Sequence, residues 1–190
     1  TQGTACTNEH ARLLKRYTGS DKVVICYDSD FAGHDAAAKA FLEMAALGMD
    51  VRVATMPPGE DPDSLVKSRG PDEFRSILEK SSEFFDYRLR YLGEENNLDD
   101  PGTKARVARD LSPMLHAVSD KNAQEASINF VATRLGLSPD GIRQAVVDAA
   151  KRPSRRRDKK DDPVIVESTP VDRELGVLAA LALQSHEVLY

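Results

Sequence analysis

The sequence has no tryptophan, two cysteines and four histidines in 190 residues, and each scarcity narrows what the chain can do. Cys6 and Cys26 stand far apart with no CxxC pair, so neither a zinc site nor a disulfide framework is expected. Both read as reduced thiols. Cys26 lies in a run of β-formers and reads as a small core residue rather than a nucleophile. His10, His34, His116 and His186 form no ligand spacing, and His34, close to an acidic segment, reads as a solvated surface residue. Long apolar runs are missing too. The longest near the C-terminus, residues 175–183, is less than half of the ~20 residues that span a bilayer, and no basic-then-apolar leader opens the chain. No membrane association and a cytoplasmic location are therefore expected. Excess positive charge is also lacking: the net charge of −5 excludes a wholly basic nucleic-acid coat while leaving room for a local basic cleft.

What is present is a globular composition, 41% hydrophobic and 30% charged, in a chain long enough for more than one structural unit. Thr7 is placed to cap a helix running through Glu9, Leu13 and Leu14 toward Tyr17, with Gly19-Ser20 as its stop. Residues 22–27 form a continuous β-prone run of the kind that is covered on both faces. An alanine-rich segment opened by Gly33 follows, with Ala36, Ala40, Met44 and Leu47 at helical spacing and Gly48 as its end. A second strand, residues 51–54, comes next. Strand, helix and strand in this span make a βαβ unit, which implies a parallel sheet with a right-handed crossover and ligands beyond the strands' C-terminal ends.

Both acidic segments fall at those ends. Asp28 and Asp30 follow the first strand; Glu60, Asp61 and Asp63 lie in the loop after the second. From Ser64 onward sheet signals stop and helical patterns take over, at residues 65–68, 74–80 and 84–92. Residues 93–102 read as a loop and a domain boundary. Three more helices are expected: one through Val107, Leu111 and Leu115, bent by Pro113; one through Ile128, Val131 and Leu135, stopping at Gly136; one from Ser138-Pro139 through Ile142, Val146 and Ala150. The fold class is thus α/β, a partial parallel sheet with flanking helices followed by a small helical bundle. Residues 151–162 carry no apolar side chain beyond Pro153, and residues 151–170 read as a basic flexible linker. Asp172 then caps a last amphipathic helix, residues 171–190, which has to dock on something.

Asp28-Ser29-Asp30 concentrates charge. Two carboxylates two residues apart at a strand end share a side, and their repulsion is about 3 kcal/mol at ~5 Å and an effective dielectric near 20. A Mg²⁺ ion relieves it, since it takes one or two carboxylates and completes its shell with water and phosphate. Capping of the following helix explains the same pair equally well. For Asp61 and Asp63 capping is the stronger reading, because Asp61-Pro62-Asp63-Ser64 is ordinary helix-start chemistry.

These residues together resemble a family. Gly3-Thr4-Ala5 to Thr7, Glu9-His10-Ala11, Leu13-Leu14, residues 23–30 with Ala32-Gly33, and Pro58-Gly59-Glu60-Asp61-Pro62-Asp63-Ser64-Leu65 look like the second half of the TOPRIM domain of bacterial DNA primases. The likeness continues through residues 74–80 and into Arg134-Leu135-Gly136-Leu137-Ser138. The resemblance implies catalytic Asp28, Asp30, Asp61 and Asp63, with Mg²⁺, or Mn²⁺ in its place, on Asp28 and Asp30. It implies a nucleotidyltransferase that makes short RNA primers from ribonucleoside triphosphates on a single-stranded DNA template, with a replicative helicase contacting the C-terminal region. Ser29 stands where the family usually has glycine, which leaves both carboxylates in place but narrows the turn's conformational choice.

The resemblance also implies parts that these 190 residues do not contain: an earlier strand with a glutamate, a basic template-binding lobe and a zinc module. The expected division is residues 1–92 for the C-terminal part of the TOPRIM domain with its following helices, 93–150 for a helical bundle, 151–170 for the linker and 171–190 for the start of a truncated helicase-binding region. On its own the chain is expected to be inactive. An incomplete sheet leaves the first strand's outer edge unpaired.

Three other functions compete for these residues. A haloacid-dehalogenase-type phosphatase needs Thr or Val two residues after the second aspartate, where this chain has Ala32-Gly33. A helix-turn-helix over residues 134–143 would place Asp140 where DNA phosphates approach, and packing within the bundle fits better. A non-catalytic interaction or DNA-binding fragment of the replication machinery is the remaining alternative, with the basic linker touching phosphates weakly.

Overall fold

A computed structural model describes residues 6–27, 31–57 and 59–151. Its elements are α1 (Asn8–Thr18), β1 (Lys22–Tyr27), α2 (Phe31–Ala46), β2 (Asp50–Thr55), α3 (Pro62–Arg69), α4 (Pro71–Glu79), β3 (Ser82–Glu83), α5 (Phe84–Glu95), α6 (Pro101–Ala117), α7 (Lys121–Leu135) and α8 (Pro139–Lys151). The linker and the last helix expected over 151–190 lie, apart from Lys151, outside the described residues.

The sheet explains the apolar run of β1. Alternate residues point to opposite faces, and here both faces are covered. Ile25, Val51 and Val53 join one cluster with Ala37, Phe41 and Met44 of α2. Val24, Cys26 and Ala54 join a second with Met56, Leu65 and the α4 residues Phe74 and Ile77. A helix, a sheet and a second pair of helices therefore make three layers. The buried face of α2 is carried by Ala37, Ala40, Phe41 and Met44, with Ala36 only half-buried.

β1 and β2 are parallel and in register from Lys22↔Asp50 to Tyr27↔Thr55. β3 corrects the expectation that sheet structure ends at Ser64. It pairs antiparallel with β2, Arg52↔Glu83 and Val53↔Ser82, so the sheet is mixed, in the order β1-β2-β3. Two residues carry no readable alternation; their pairing is held by the tertiary contacts of Arg52, whose Nε donates to Ser81 Oγ at 3.1 Å and whose Nη2 donates to the Ser81 carbonyl.

Helix ends follow local chemistry. Thr7 caps α1, and His10 completes the box: His10 N–H donates to Thr7 Oγ1 and Thr7 N–H to His10 Nδ1. Lys15 donates to the Leu47 carbonyl at 2.7 Å, satisfying the turn that ends α2. Asp100 and Asp120 cap α6 and α7. Gly136 ends α7 at φ +64, a conformation that glycine adopts without penalty. α5 runs past Gly93 to Glu95, shortening the expected loop, and α6 continues through Pro113.

The second half packs on the first through aromatic rings. Phe41 of α2 stacks on Phe84 of α5, centroids 3.7 Å apart, and Phe85 meets both rings edge-on. From there the same buried cluster runs on through Val107, Leu111, Ile128, Leu135 and Ile142, so residues on both sides of the 96–100 loop share one core. Buried Gln124 is not wasted: its Nε2 donates to the Leu115 carbonyl at 2.9 Å, closing the end of α6.

Candidate functional site

Parallel pairing brings the C-terminal ends of β1 and β2 to one edge. Tyr27 and Thr55 are paired across the sheet and end their strands at the same level, on the side where a parallel pair takes its ligands. Asp28, Ser29 and Asp30 lie outside the described residues. The second segment is described in detail.

Asp61 is the cap of α3. Its Oδ1 accepts from Ser64 N–H at 2.7 Å, while its own N–H donates to Ser64 Oγ at 2.9 Å. The hydrogen bonds from Ser64 hold the Asp61 carboxyl below its ordinary value, so it is a fixed negative charge at neutral pH. Asp63, in the first turn, pairs with Lys67 one turn on at 2.6 Å; both are exposed, and such pairs add little stability. Lys67 is raised by that contact with Asp63. Glu60 is the more constrained of the three acids. Its Oε1 takes Arg69 at 2.5 Å, and its Oε2 is buried with no hydrogen-bond partner among the described residues. A buried carboxylate oxygen without a donor is costly, so this atom marks a place for a cation or a donor group.

Among the described residues no three His, Cys, Asp or Glu side chains are gathered in a metal-binding arrangement. Cys26 packs in the α4 side of the sheet, and burial pushes its thiol up to about 11, which keeps it protonated and unreactive.

His34 is half-buried rather than a solvated surface residue. In the fold its ring lies against α5, stacked on Tyr91 with centroids 3.6 Å apart and hydrogen-bonded through Nδ1 to the Tyr87 hydroxyl. Arg88 sits over the Tyr91 ring, its guanidinium carbon 5.3 Å from the centroid, with Nε and Nη1 buried and without a hydrogen-bond partner among the described residues. The i, i+4 spacing of Tyr87 and Tyr91 was legible; their partner on α2 was not.

Residues 1–66 match the Toprim-like family, and residues 85–140 match the DnaB-helicase binding domain of primase. The chain belongs to the DNA primase family. It is 32% identical over 140 residues to the DNA primase of Clostridium acetobutylicum, covering 74% of this chain and 23% of that protein. A DNA primase domain from Pseudomonas aeruginosa is similar in structure, with a TM-score of 0.66 and 30% identity over 76% of this chain and 46% of that one. A primase catalytic domain bound to single-stranded DNA is similar at a TM-score of 0.63 and 27% identity, covering 73% of this chain and 44% of that one. The chain thus spans about a quarter of the curated primases it matches and under half of the solved primase domains. The helicase-binding match falls on α5 to the start of α8, upstream of residues 171–190. In this primase segment the contact of His34 with Tyr87 and Tyr91 joins the two matched regions. No helix among the described residues is long and apolar enough to cross a membrane.

Proposed function

We propose that this chain carries the acidic part of a primase's nucleotidyl-transfer centre. In a complete enzyme, that centre joins ribonucleoside triphosphates into short RNA primers on a single-stranded DNA template in the cytoplasm. The observation that supports the reading is the in-register parallel pair β1–β2, whose C-terminal ends at Tyr27 and Thr55 are level and are each followed in the sequence by an acidic segment. The similarity to a primase domain bound to single-stranded DNA supports the template.

Asp28 and Asp30 hold the metal in this reading, with Asp61 and Asp63 in the same centre. The donor set fits Mg²⁺ or Mn²⁺: the acids of the described loop are all hard carboxylate oxygens, Asp61 is kept ionised, and Glu60 Oε2 has no donor among the described residues. Mg²⁺ bound there would neutralise phosphate charge and favour attack by a hydroxyl. The chain's own residues prepare that role. Ser64 orients the Asp61 carboxylate, Arg69 fixes one oxygen of Glu60, and Asp63 has only an exposed Lys67 to give up.

The proposed division is residues 1–92 for the TOPRIM part and its following helices, 93–150 for the bundle, 151–170 for the linker and 171–190 for the start of a further helicase-binding region. A replicative helicase is the proposed protein partner, supported by the match over residues 85–140. By itself the chain binds the metal weakly and does not polymerise.

The test is primer synthesis by the complete enzyme carrying Asp28→Ala or Asp30→Ala. Each variant is expected to lose activity at least about a hundredfold, as when a transition-state charge partner is removed, with its circular dichroism unchanged. Wild-type synthesis by either variant would remove that residue from the centre.

A further inference from the structure

α2 and α5 meet at two places. At one, Phe41 stacks on Phe84 with centroids 3.7 Å apart and both rings buried. At the other, about two turns earlier on α2 and two turns later on α5, the half-buried His34 ring lies against Tyr91 and Tyr87. His34 and Phe41 share a helix face by their spacing, as do Phe84, Tyr87 and Tyr91. The contact therefore runs antiparallel, with the histidine at the end of α2 that follows β1.

The two places differ in chemistry. The phenylalanine end is apolar and belongs to the main core, so it supplies the stability of the junction. The histidine end adds direction. Tyr91 lies within 22° of the plane of the His34 ring, centroids 3.6 Å apart, and the Tyr87 hydroxyl is hydrogen-bonded with Nδ1. A stack fixes the plane of a ring, and a hydrogen bond to one particular nitrogen fixes its rotation within that plane. Burial pushes the Tyr87 phenol up to about 12, so at neutral pH the hydroxyl keeps its proton. Arg88 holds Tyr91 in turn, its guanidinium carbon 5.3 Å from the ring centroid.

Orientation matters at this end of α2 because a helix fixes its own first turn least. The N–H groups there have no intrahelical partners, and contacts from outside hold the turn in place. In sequence Asp30 directly precedes Phe31, the first residue of α2, so a shift of this turn carries the acidic segment with it. α5 is the firm partner, with Phe84, Phe85, Tyr87 and Leu89 all buried along its length.

We propose that Tyr87 and Tyr91 are positioning residues of the acidic centre: through His34 they hold the first turn of α2 and so set how the Asp28–Asp30 segment meets a divalent metal. Neither tyrosine touches the metal. The inference rests on the nucleotidyl-transfer reading and deepens it. Part of the metal's affinity is set from α5, which lies in the region matched to the helicase-binding domain, while the acids lie in the Toprim-like region.

The test is binding of Mn²⁺ alone to this chain, read from the electron paramagnetic resonance signal of the free ion. Tyr87→Phe and Tyr91→Leu are each expected to bind about fivefold more weakly than wild type, the effect of one lost contact of hydrogen-bond size. Tyr91→Phe, which keeps the stack, is expected to retain wild-type affinity. Phe84→Leu, at the apolar end of the same pair of helices, is the control for stability alone: it is expected to lower the unfolding midpoint and leave Mn²⁺ affinity unchanged. Wild-type affinity in Tyr87→Phe and Tyr91→Leu, with binding lost in Asp28→Ala, overturns this inference and leaves the acidic centre standing. Equal weakening by Phe84→Leu reduces the tyrosines to ordinary packing and overturns it as well. Wild-type affinity in both Asp28→Ala and Asp30→Ala overturns the acidic centre, and this inference with it. Tyr87→Phe keeps the ring and its volume, so the comparison stands even if Tyr91→Leu does not fold.

Discussion

Asp61 and Ser64 satisfy each other: the serine N–H donates to the aspartate carboxylate at 2.7 Å and the aspartate N–H to the serine hydroxyl at 2.9 Å. The pair caps α3, and the same carboxylate belongs to the proposed acidic centre. The two roles separate on substitution. Asparagine caps as well as aspartate but carries no charge. Asp61→Asn is expected to leave the thermal unfolding midpoint of this chain unchanged and to lower primer synthesis in the complete enzyme by about tenfold or more. Asp61→Ala is expected to lower both. If Asp61→Asn keeps full synthesis, Asp61 is a cap and nothing more.

The Phe41–Phe84 stack carries the junction between the sheet layer and the helices that follow it. Phe84 is fully buried, and its removal leaves a cavity lined by Phe41 and Phe85. Phe84→Ala is expected to cost about 3–5 kcal/mol in urea unfolding. A loss below about 1 kcal/mol, the range of ordinary surface substitutions, would mean that the ring does not hold the two layers together.

Gly136 tests backbone rather than packing. A Cβ there would meet only Lys104 Nζ at 3.7 Å, ordinary contact distance, so space is not limiting. The cost lies in φ +64. Gly136→Ala is expected to destabilise by roughly 1 kcal/mol, with Gly141→Ala, which has open space and no positive φ, as the neutral or stabilising control.

Acid should weaken the fold. Asp61 and Asp100 are lowered by hydrogen bonds from Ser64 and Thr103, and Glu125 by its bond with Arg143. A depressed carboxyl contributes stability that is complete above its unfolded pKa, near 4, and is lost as pH falls through the folded value. Glu83 acts the other way: burial raises it, so its contribution is present at low pH and is lost as pH rises through its folded value. Three carboxyls against one predict lower stability at pH 3 than at pH 6 by chemical unfolding. Asp100→Asn should flatten that dependence. A profile that rises toward pH 3 would place the dominant titration on Glu83.

Much of this protein is local chemistry and was legible residue by residue. Thr7, Asp61 and Gly136 terminate helices through groups within a few residues of themselves, so their roles need no tertiary information. The unbroken apolar run of β1 reads as a strand covered on both faces, and the βαβ spacing predicts the parallel pairing of β1 with β2; both are present in the fold. The local pattern at Asp61 also offered capping, and the geometry displays that role directly, whereas Asp28 and Asp30 lie outside the described residues.

What needed the tertiary structure was contact between segments far apart in sequence. β3 is two residues long and has no period to read; Arg52, some thirty residues earlier, holds the turn before it. His34 looked solvated because periodicity reports which face of a helix is apolar, not which distant helix covers a polar residue; α5 supplied Tyr87 and Tyr91. The loop around residue 96 resembles a boundary in composition, yet the stacked phenylalanines on one side and the α6–α8 core on the other belong to one buried cluster. Short-range hydrogen bonding and alternation are written into neighbouring residues, while burial of a particular side chain depends on how whole elements pack, and only the folded chain decides that.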